Sequence, residues 1–287
     1  MKKRTAKKIA VLYHGDCPDG FAGAWAAWKK FGKRADYLGL TDREKLPTGL
    51  RGKEIYMIDW VFDDPRVMEG LCQMSQRVVG IDHYLVSRDI FRKLPGSIFD
   101  FNHSGAVLAW SYFHPKKSVP QLLRYVEDYD LWRFRLRGTE AVNAIIESQK
   151  VDFVTWSCLV DDFENAVMRR KYISEGRRIL EYRDRQVELI LKSAKLVRFG
   201  GFNVLAVNSP VFRNEIGHIL AKRKPPFGII WREEKDRIHI SLRAIKPFNL
   251  LKSLKKEGPA GHPQAAGIAL PSGAPLPWKE VKSKRKS

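Results

Sequence analysis

The first 130 residues alternate between short apolar runs and segments with helical spacing. The runs "KIAVLYH" (8–14), "EIYMIDW" (54–60) and "RVVGIDH" (77–83) have the length and composition of buried strands. Helical patterns follow the first two of them, in "GFAGAWAAWKKFG" (20–32) and "PRVMEGLCQMSQ" (65–76). Strands that alternate with helices favour a parallel sheet with crossover helices, so we expect an α/β fold.

Further along the chain, the pattern predicts more helices and then a second domain. Two helices are expected at 104–113, with Ser104 as N-cap, and at 119–132. Residues 161–195 are strongly charged, with apolar residues at helical spacing, and predict one long linker helix in which Gly176 is the candidate point for a break. We therefore expect a domain over 1–160, the linker helix over 161–195, a smaller mixed α/β domain over 196–270 and a basic, disordered tail over 271–287.

All three predicted strands of the first domain end in side chains that can bind a metal. The carboxyl ends of parallel strands lie at one edge of a sheet, so these side chains should converge there. Several carboxylates at one place repel each other unless cations lie between them, and mixed carboxylate and imidazole ligands suit manganese, iron, zinc or cobalt better than calcium. The residues are His14, Asp16, Asp19, Asp59, Asp82 and His83.

Each of these residues also has an ordinary structural interpretation. The segment "DCPDG" (16–20) is a good turn sequence, Asp59 could cap or turn the chain after its strand, and His83 could be a buried, hydrogen-bonded histidine. For any one of these residues taken alone, the structural interpretation is preferable to a role as a metal ligand. Agreement among three strand ends favours a metal site.

Composition indicates the class of partner. The 287 residues carry a formal net charge of +20, which favours a polyanion such as nucleic acid, a nucleotide or an acidic membrane surface. The three cysteines are far apart and form no CxxC pair, so neither a disulfide framework nor a zinc ribbon is indicated. No apolar stretch reaches the roughly 18 residues of a membrane helix, and we expect no signal peptide, no membrane partner and a cytoplasmic location.

Six motifs are spread over most of the chain. They are "YHGDCPDGFAGAW", "YMIDWVF", "GIDHYLV", "DFNHSGAVLAW" and "YVEDYDLW" in the amino-terminal part and "AGHPQAAG" (260–267) in the carboxyl-terminal part. Together and in this order they resemble the motifs of one known family, the DHH/DHHA1 phosphoesterases. This family includes RecJ-type exonucleases, oligoribonucleases and cyclic-dinucleotide phosphodiesterases.

The resemblance implies a fold and a set of roles. The fold would be an amino-terminal, parallel-sheet DHH domain joined by a long helix to a smaller, mixed α/β DHHA1-like domain. Two metal ions, usually Mn²⁺ but with Mg²⁺, Co²⁺, Zn²⁺ or Fe²⁺ as alternatives, would be shared through Asp59. The implied metal ligands are His14, Asp16, Asp19, Asp59, His83 and Asp128, the catalytic residues are Asp59, His83 and Asp82, and the substrate-binding residues are Tyr84, Arg243, Gly261 and His262, with Asn214 and Glu215 beside them.

Three positions depart from the family pattern. Asp16 and Asp19 are three residues apart, whereas many family members have aspartates two apart. Tyr84 stands where the second histidine of Asp-His-His would be, and "GPAGH" (258–262) has fewer glycines than the family's glycine-histidine motif. We therefore expect a preserved metal site with altered substrate contacts.

The combined expectation is a metal-dependent phosphodiesterase that acts on short oligonucleotides or small nucleotides. Three alternatives remain open at this point. They are a RecJ-like exonuclease on longer single strands, a nucleotide-binding member of the family that has lost turnover, and, with less support, a pyrophosphatase. The sequence leaves the oligomeric state undetermined.

Overall fold

The computed structural model describes residues 7–41, 45–62 and 64–281. The chain divides into two compact units, Met1–Leu180 and Glu181–Ser287. In the described residues no helix is both long and apolar enough to cross a membrane.

The first unit is built on a five-stranded, entirely parallel sheet. Its strands are β1 (Ile9–His14), β2 (Ala35–Leu40), β3 (Glu54–Ile58), β4 (Arg77–Asp82) and β5 (Ile98–Phe99), in the order β2-β1-β3-β4-β5. The predicted parallel α/β sheet is confirmed. The sequence did not indicate β2 and β5, because "ADYLGL" has only a weak apolar pattern and β5 has two residues.

Helices cover both faces of this sheet. They are α1 (Pro18–Phe31), α2 (Pro65–Met74), α3 (Leu85–Phe91), α4 (Gly105–Phe113), α5 (Gln121–Asp130), α6 (Thr139–Ser148) and α7 (Phe153–Glu164). Successive residues of a strand point to opposite faces, so Val11 packs in the core that contains α1, α4 and α5, while Ala10 and Leu12 pack in the core that contains α2. The two cores hold the sheet between its helices. The edge at the carboxyl ends of its strands is followed by loops.

The predicted linker helix over 161–195 is wrong in its bounds and in its break. Helix α7 ends at Glu164, and a separate helix, α8 (Ala166–Leu191), crosses the boundary between the two units. Asn165 separates them, since its side-chain oxygen accepts hydrogen bonds from the amides of Val167 and Met168. The chain stays helical through Gly176, where a Cβ would stand 2.0 Å from the Ala141 carbonyl oxygen, so this glycine permits close helix packing.

The second unit contains a seven-stranded mixed sheet. Its elements are β6 (Lys195–Phe199), β7 (Phe202–Asn208), α9 (Arg213–Arg223), β8 (Phe227–Glu234), β9 (Arg237–Ala244), α10 (Leu250–Ser253), β10 (Ala260–Gly261), β11 (Ala265–Pro271) and β12 (Lys279–Glu280), with the strand order β10-β11-β9-β8-β7-β6-β12. Strands β6 and β7 form a hairpin around Gly200 and Gly201, and β8 and β9 form a hairpin around "EEKD" (233–236). The mixed α/β character is thereby confirmed.

The tail predicted to be disordered is ordered over much of its length. Strand β12 pairs with β6, and the side chains of Leu276 and Trp278 pack against the core of the second unit. The partial burial of a tryptophan and a leucine outweighs the basic composition that suggested disorder. The rest of that predicted tail, 282–287, lies outside the described residues.

Candidate metal centre

The carboxyl edge of the parallel sheet gathers acidic and imidazole side chains. His14 ends β1, Asp59 directly follows β3, and Asp82 and His83 end and follow β4. Asp19, in the first turn of α1, joins them. Asp19, Asp59 and Asp82 are each only 1% exposed and His83 is 7% exposed, so the protein takes charged groups out of water here.

One group of possible ligand atoms surrounds His83. Its Nε2 lies 3.6 Å from Asp59 Oδ1, 3.9 Å from Asp19 Oδ2 and 3.5 Å from Asp130 Oδ2. These separations are at or beyond the outer limit of a hydrogen bond. Two atoms that each lie about 2.1 Å from one metal ion are separated by about 3 to 4 Å, so the spacing suits a shared cation.

Three atoms in this group support the same interpretation. Asp59 Oδ1, His83 Nε2 and Asp130 Oδ2 are buried, and among the described residues none of them has a hydrogen-bond partner. Buried polar atoms almost always have a partner, because an unpaired one costs free energy. Two of these unpaired atoms, Asp59 Oδ1 and Asp130 Oδ2, lie within 3.6 Å of the third, His83 Nε2, which fits a bound metal ion.

A second group of ligand atoms lies on the other side of Asp59. His14 Nδ1 is 3.3 Å from Asp59 Oδ2, and the Cys17 thiol donates to the same oxygen at 3.2 Å. Cys17 Sγ also lies 3.1 Å from His14 Nδ1. Asp59 thus belongs to both groups and uses a different oxygen in each. A carboxylate placed in this way could be shared by two ions.

The charge state of the carboxylates differs across the centre. Burial raises the pKa of Asp59, but the imidazoles of His14 and His83 outweigh burial and lower its pKa to about 2. Burial, followed by the charge of Asp59, raises the pKa of Asp19 to about 6. Asp59 therefore stays ionised far below neutral pH, whereas Asp19 begins to bind a proton already near pH 6.

Asp19 has a structural task that the sequence did not indicate. Its carboxylate accepts hydrogen bonds from the amides of Gly105 (2.7 Å) and Ala106 (3.0 Å) at the start of α4. Ser104 is the N-cap residue as predicted, but its side chain makes no capping hydrogen bond. A Cβ at Gly105 would stand 2.8 Å from Asp19 Oδ2 and 2.9 Å from Asp59 Cβ, so the glycine lets α4 approach the centre closely.

Asp82 supports His83 through the backbone. Its Oδ1 accepts hydrogen bonds from the amides of His83 (2.6 Å) and Tyr84 (3.2 Å). Burial and then the charge of Asp59 raise the pKa of Asp82 to about 6. Asp82 therefore fixes the turn that presents the His83 ring.

The structure brings Asp130 to the centre in place of Asp128. The carboxylate of Asp128 accepts from the amides of Arg135 (2.9 Å) and Leu136 (3.0 Å) and from the hydroxyl of Thr139. Two residues along a helix point in different directions, so only one of these aspartates can face His83. Helical spacing did not indicate this, because Asp128 lies three residues after the buried Tyr125 and Asp130 lies four residues after the buried Val126.

Cys17 stands where the sequence suggested Asp16. Asp16 is exposed and belongs to neither group of ligand atoms, because it lies in the turn after β1, before α1 begins. Cys17 is two residues before Asp19, which is the spacing of the paired aspartates of many family members. That spacing was the signal in the sequence for Cys17. Burial, followed by the charges of Asp59 and Asp19, raises the pKa of the Cys17 thiol.

Tyr84 lies beside the centre. Its ring is 4.3 Å from that of His83 between centroids. Burial is the main cause that raises the pKa of its phenol, so the hydroxyl keeps its proton and can donate a hydrogen bond.

The residues predicted to bind substrate in the second unit lie on adjacent strands of its sheet. Arg243 in β9 pairs with Ala265 in β11, and β10 contains Gly261, next to His262. Arg243 donates to the Asn214 side-chain oxygen at 2.7 and 3.0 Å, so it holds that residue near the same strands. Glu215 instead forms an ion pair with Arg183 at 3.3 Å.

Comparison with known proteins gives one sequence relative and a common fold. No protein-family model matches the chain. Uncharacterized protein R106 of Acanthamoeba polyphaga mimivirus is 28% identical over 299 residues, which cover 94% of this chain and 70% of that protein.

Two solved structures of other proteins have a fold similar to that of this chain. One is the DHH domain of a protein assigned to a family of ribosomal proteins, with a TM-score of 0.58 and 13% identity over 98% of this chain and 84% of that one. The other is RecJ from Thermus thermophilus in complex with Mn²⁺, with a TM-score of 0.50 and 15% identity over 93% of this chain and 50% of that one. The chain therefore has the fold of the DHH-domain proteins.

Proposed function

We propose that the protein is a metal-dependent phosphodiesterase that hydrolyses short oligonucleotides or small nucleotide phosphoesters. The convergence of three atoms that are buried and unpartnered within the described residues, Asp59 Oδ1, His83 Nε2 and Asp130 Oδ2, carries this proposal. The structure of Thermus thermophilus RecJ, which has a similar fold, contains Mn²⁺ and supports a divalent cation in this chain.

The ligand atoms divide between two ions. Asp19, Asp59, His83 and Asp130 would hold one ion, and His14, Cys17 and Asp59 the other. Neither Asp16 nor Asp128 is included, because one is exposed and the other is engaged by three hydrogen bonds. Mn²⁺ is the expected ion, and the Cys17 thiol also allows Zn²⁺, Fe²⁺ or Co²⁺.

Each residue of the centre contributes in a distinct way. A pair of bound cations supplies an activated water and neutralises the charge that develops at phosphorus. Asp59 remains ionised at neutral pH, so it can bind both cations without first losing a proton. Asp82 holds the backbone that presents the His83 ring, and Tyr84 can donate its phenolic hydrogen to a substrate oxygen.

The substrate is inferred from charge and from the second unit. The net charge of +20 favours a polyanionic substrate. Arg243, Gly261 and His262 are proposed to bind substrate phosphate or sugar, since they lie on adjacent strands and Gly261 has a φ of +131° that suits a glycine. A short nucleic acid or a nucleotide carries negative charge and offers both phosphate and sugar groups to these residues.

A substrate panel tests the proposal. The purified full chain with Mn²⁺ is incubated with oligonucleotides of two to ten residues, cyclic dinucleotides, phosphoadenosine phosphate, pyrophosphate and long single strands. We expect turnover of a short or small substrate. Asp59→Asn should lower kcat/KM by about 10³-fold, because the charge stabilisation is lost. Asp16→Asn is the matched control and should stay within about twofold of the wild type.

The other outcomes separate the alternative functions. Preference for long strands with a steep loss of activity in salt would favour an exonuclease. Metal bound with no turnover of any substrate would overturn hydrolysis and leave a nucleotide-binding protein. Full turnover by Asp59→Asn would show that the centre is not the active site.

A further inference from the structure

The loop after the metal centre alternates exposed apolar and basic side chains. Residues 132–137 read "WRFRLR", and we call them the aromatic–arginine loop. They form no helix or strand and follow the end of α5 at Asp130. The metal centre uses none of these side chains.

The aromatic rings of the loop lie together and face solvent. Trp132 and Phe134 have ring centroids 4.8 Å apart at an interplanar angle of 77°, and each lies 5.9 Å from the ring of Tyr129. Trp132 is 56% exposed and Phe134 is 38% exposed. Large apolar rings exposed as a group are uncommon on a surface without a binding role.

The backbone of the loop is held in an unfavourable conformation. Trp132 and Phe134 have φ values of +56° and +50°, a region that large side chains rarely adopt. Asp128 maintains it, since its carbonyl oxygen accepts from the amides of Arg133 (2.9 Å) and Phe134 (3.4 Å) and its carboxylate accepts from those of Arg135 and Leu136. Strain that the surrounding structure maintains is typical of functional sites.

The loop begins next to the metal centre. Trp132 is two residues from Asp130, so their Cα atoms are at most about 7.6 Å apart. Arg133 fixes the loop to the segment after β5, because its guanidinium donates to the Asn102 carbonyl oxygen and to Glu127 Oε1. The loop therefore begins close in the chain to a carboxylate of the candidate centre.

The loop also carries two positively charged side chains that are exposed to solvent. Arg135 and Arg137 are exposed, and within the part of the chain that the structure describes neither side chain has a partner. Aromatic rings interleaved with arginines suit a ligand with flat apolar groups and phosphates between them. Single-stranded nucleic acid has both.

We propose that the aromatic–arginine loop binds the substrate next to the scissile phosphate, with a nucleobase stacked on Trp132 and Phe134 and flanking phosphates bound by Arg135 and Arg137. This rests on the proposed function, whose substrate it narrows to single-stranded nucleic acid of at least two nucleotides. An apolar protein partner would not require the arginines, and it becomes the alternative if neither probe loses affinity in the double alanine variant tested below.

The test measures binding without turnover, so it is independent of hydrolysis. Fluorescence anisotropy in EDTA at low salt compares a labelled thymidine tetranucleotide with an abasic tetranucleotide that has the same phosphates. The combined substitution Trp132→Ala and Phe134→Ala should weaken binding of the thymidine probe by about 5- to 150-fold, the range for loss of base stacking, and leave the abasic probe unchanged. Arg135→Ala with Arg137→Ala should weaken both probes alike and reduce the salt slope by about 0.7 for each phosphate that is no longer neutralised.

Matched variants exclude a folding defect and a general surface effect. Trp132→Phe with Phe134→Tyr retains the rings and should restore binding of the thymidine probe. Val154→Ala alters a valine that is 68% exposed elsewhere in the same unit and should affect neither probe. Equal losses for both probes in the double alanine variant, or no loss for either, would overturn base stacking, and so would failure of the wild type to distinguish the probes. Hydrolysis of the substrate panel without such discrimination would overturn the loop proposal and leave the proposed function standing.

Discussion

The candidate metal centre and the aromatic–arginine loop each contact one aspartate of α5, Asp130 and Asp128 respectively, and these two aspartates have opposite surroundings. Asp130 has a buried oxygen with no hydrogen-bond partner among the described residues, and burial, followed by the charge of Asp19, raises its pKa well above the usual range. Burial also acts on Asp128, but hydrogen bonds from Thr139, Arg135 and Leu136 outweigh it and lower the pKa of that carboxyl. One aspartate is left for a ligand and the other maintains the fold.

The largest effect is expected when the ligand-facing aspartate is changed. Asp130→Asn should weaken Mn²⁺ binding at least about tenfold, because one ligand oxygen loses its charge. The same change should raise the free energy of unfolding of the metal-free protein by about 1 kcal/mol, since it removes repulsion from Asp19 and Asp59. Metal titration calorimetry and thermal unfolding in EDTA measure the two effects. A metal-free variant less stable than the wild type would contradict our assignment of Asp130.

The second prediction concerns Asp128, the aspartate whose hydrogen bonds maintain the fold. Asp128→Asn should lower the free energy of unfolding by about 1 to 3 kcal/mol, because its amide cannot accept all the hydrogen bonds that the carboxylate accepts. Affinity for Mn²⁺ should change less than in Asp130→Asn. Denaturant unfolding and the same metal titration measure both quantities. If the two variants exchanged behaviour, so that Asp128→Asn lost metal and kept stability, the original sequence prediction would be restored.

The smallest effect is expected at Cys17, where the change is one of metal preference. Cys17→Asp replaces a soft sulfur ligand by a hard oxygen, so the ratio of Mn²⁺ to Zn²⁺ affinity should rise about tenfold. Competition between the two ions, followed by metal analysis of the protein, measures this ratio. Cys17→Ser serves as a control of similar size. An unchanged ratio in Cys17→Asp would show that the thiol does not bind the ion.

Part of the candidate site could be predicted from the sequence, because local pattern determines it. His14, Asp59 and His83 follow recognisable strands, and parallel strands necessarily bring such residues to one edge. Asp19 could be placed for the same reason, through the turn between β1 and α1. The residues that the sequence placed wrongly, Asp16 and Asp128, each have a neighbour of similar chemistry within two positions. Local pattern is too coarse to separate such neighbours, since it predicts elements better than the direction of a side chain.

The sequence by itself determined the alternation of strands and helices, the parallel sheet of the first unit and the second, mixed sheet. These follow from apolar periodicity and turn residues, which act over a few positions. The tertiary structure alone decided that Asp130 and not Asp128 faces His83, that Cys17 joins His14, and that Lys279 and Glu280 pair with the edge strand β6. The physical reason is that hydrogen bonds between segments distant in the chain fix which polar atoms are satisfied and which remain for a ligand.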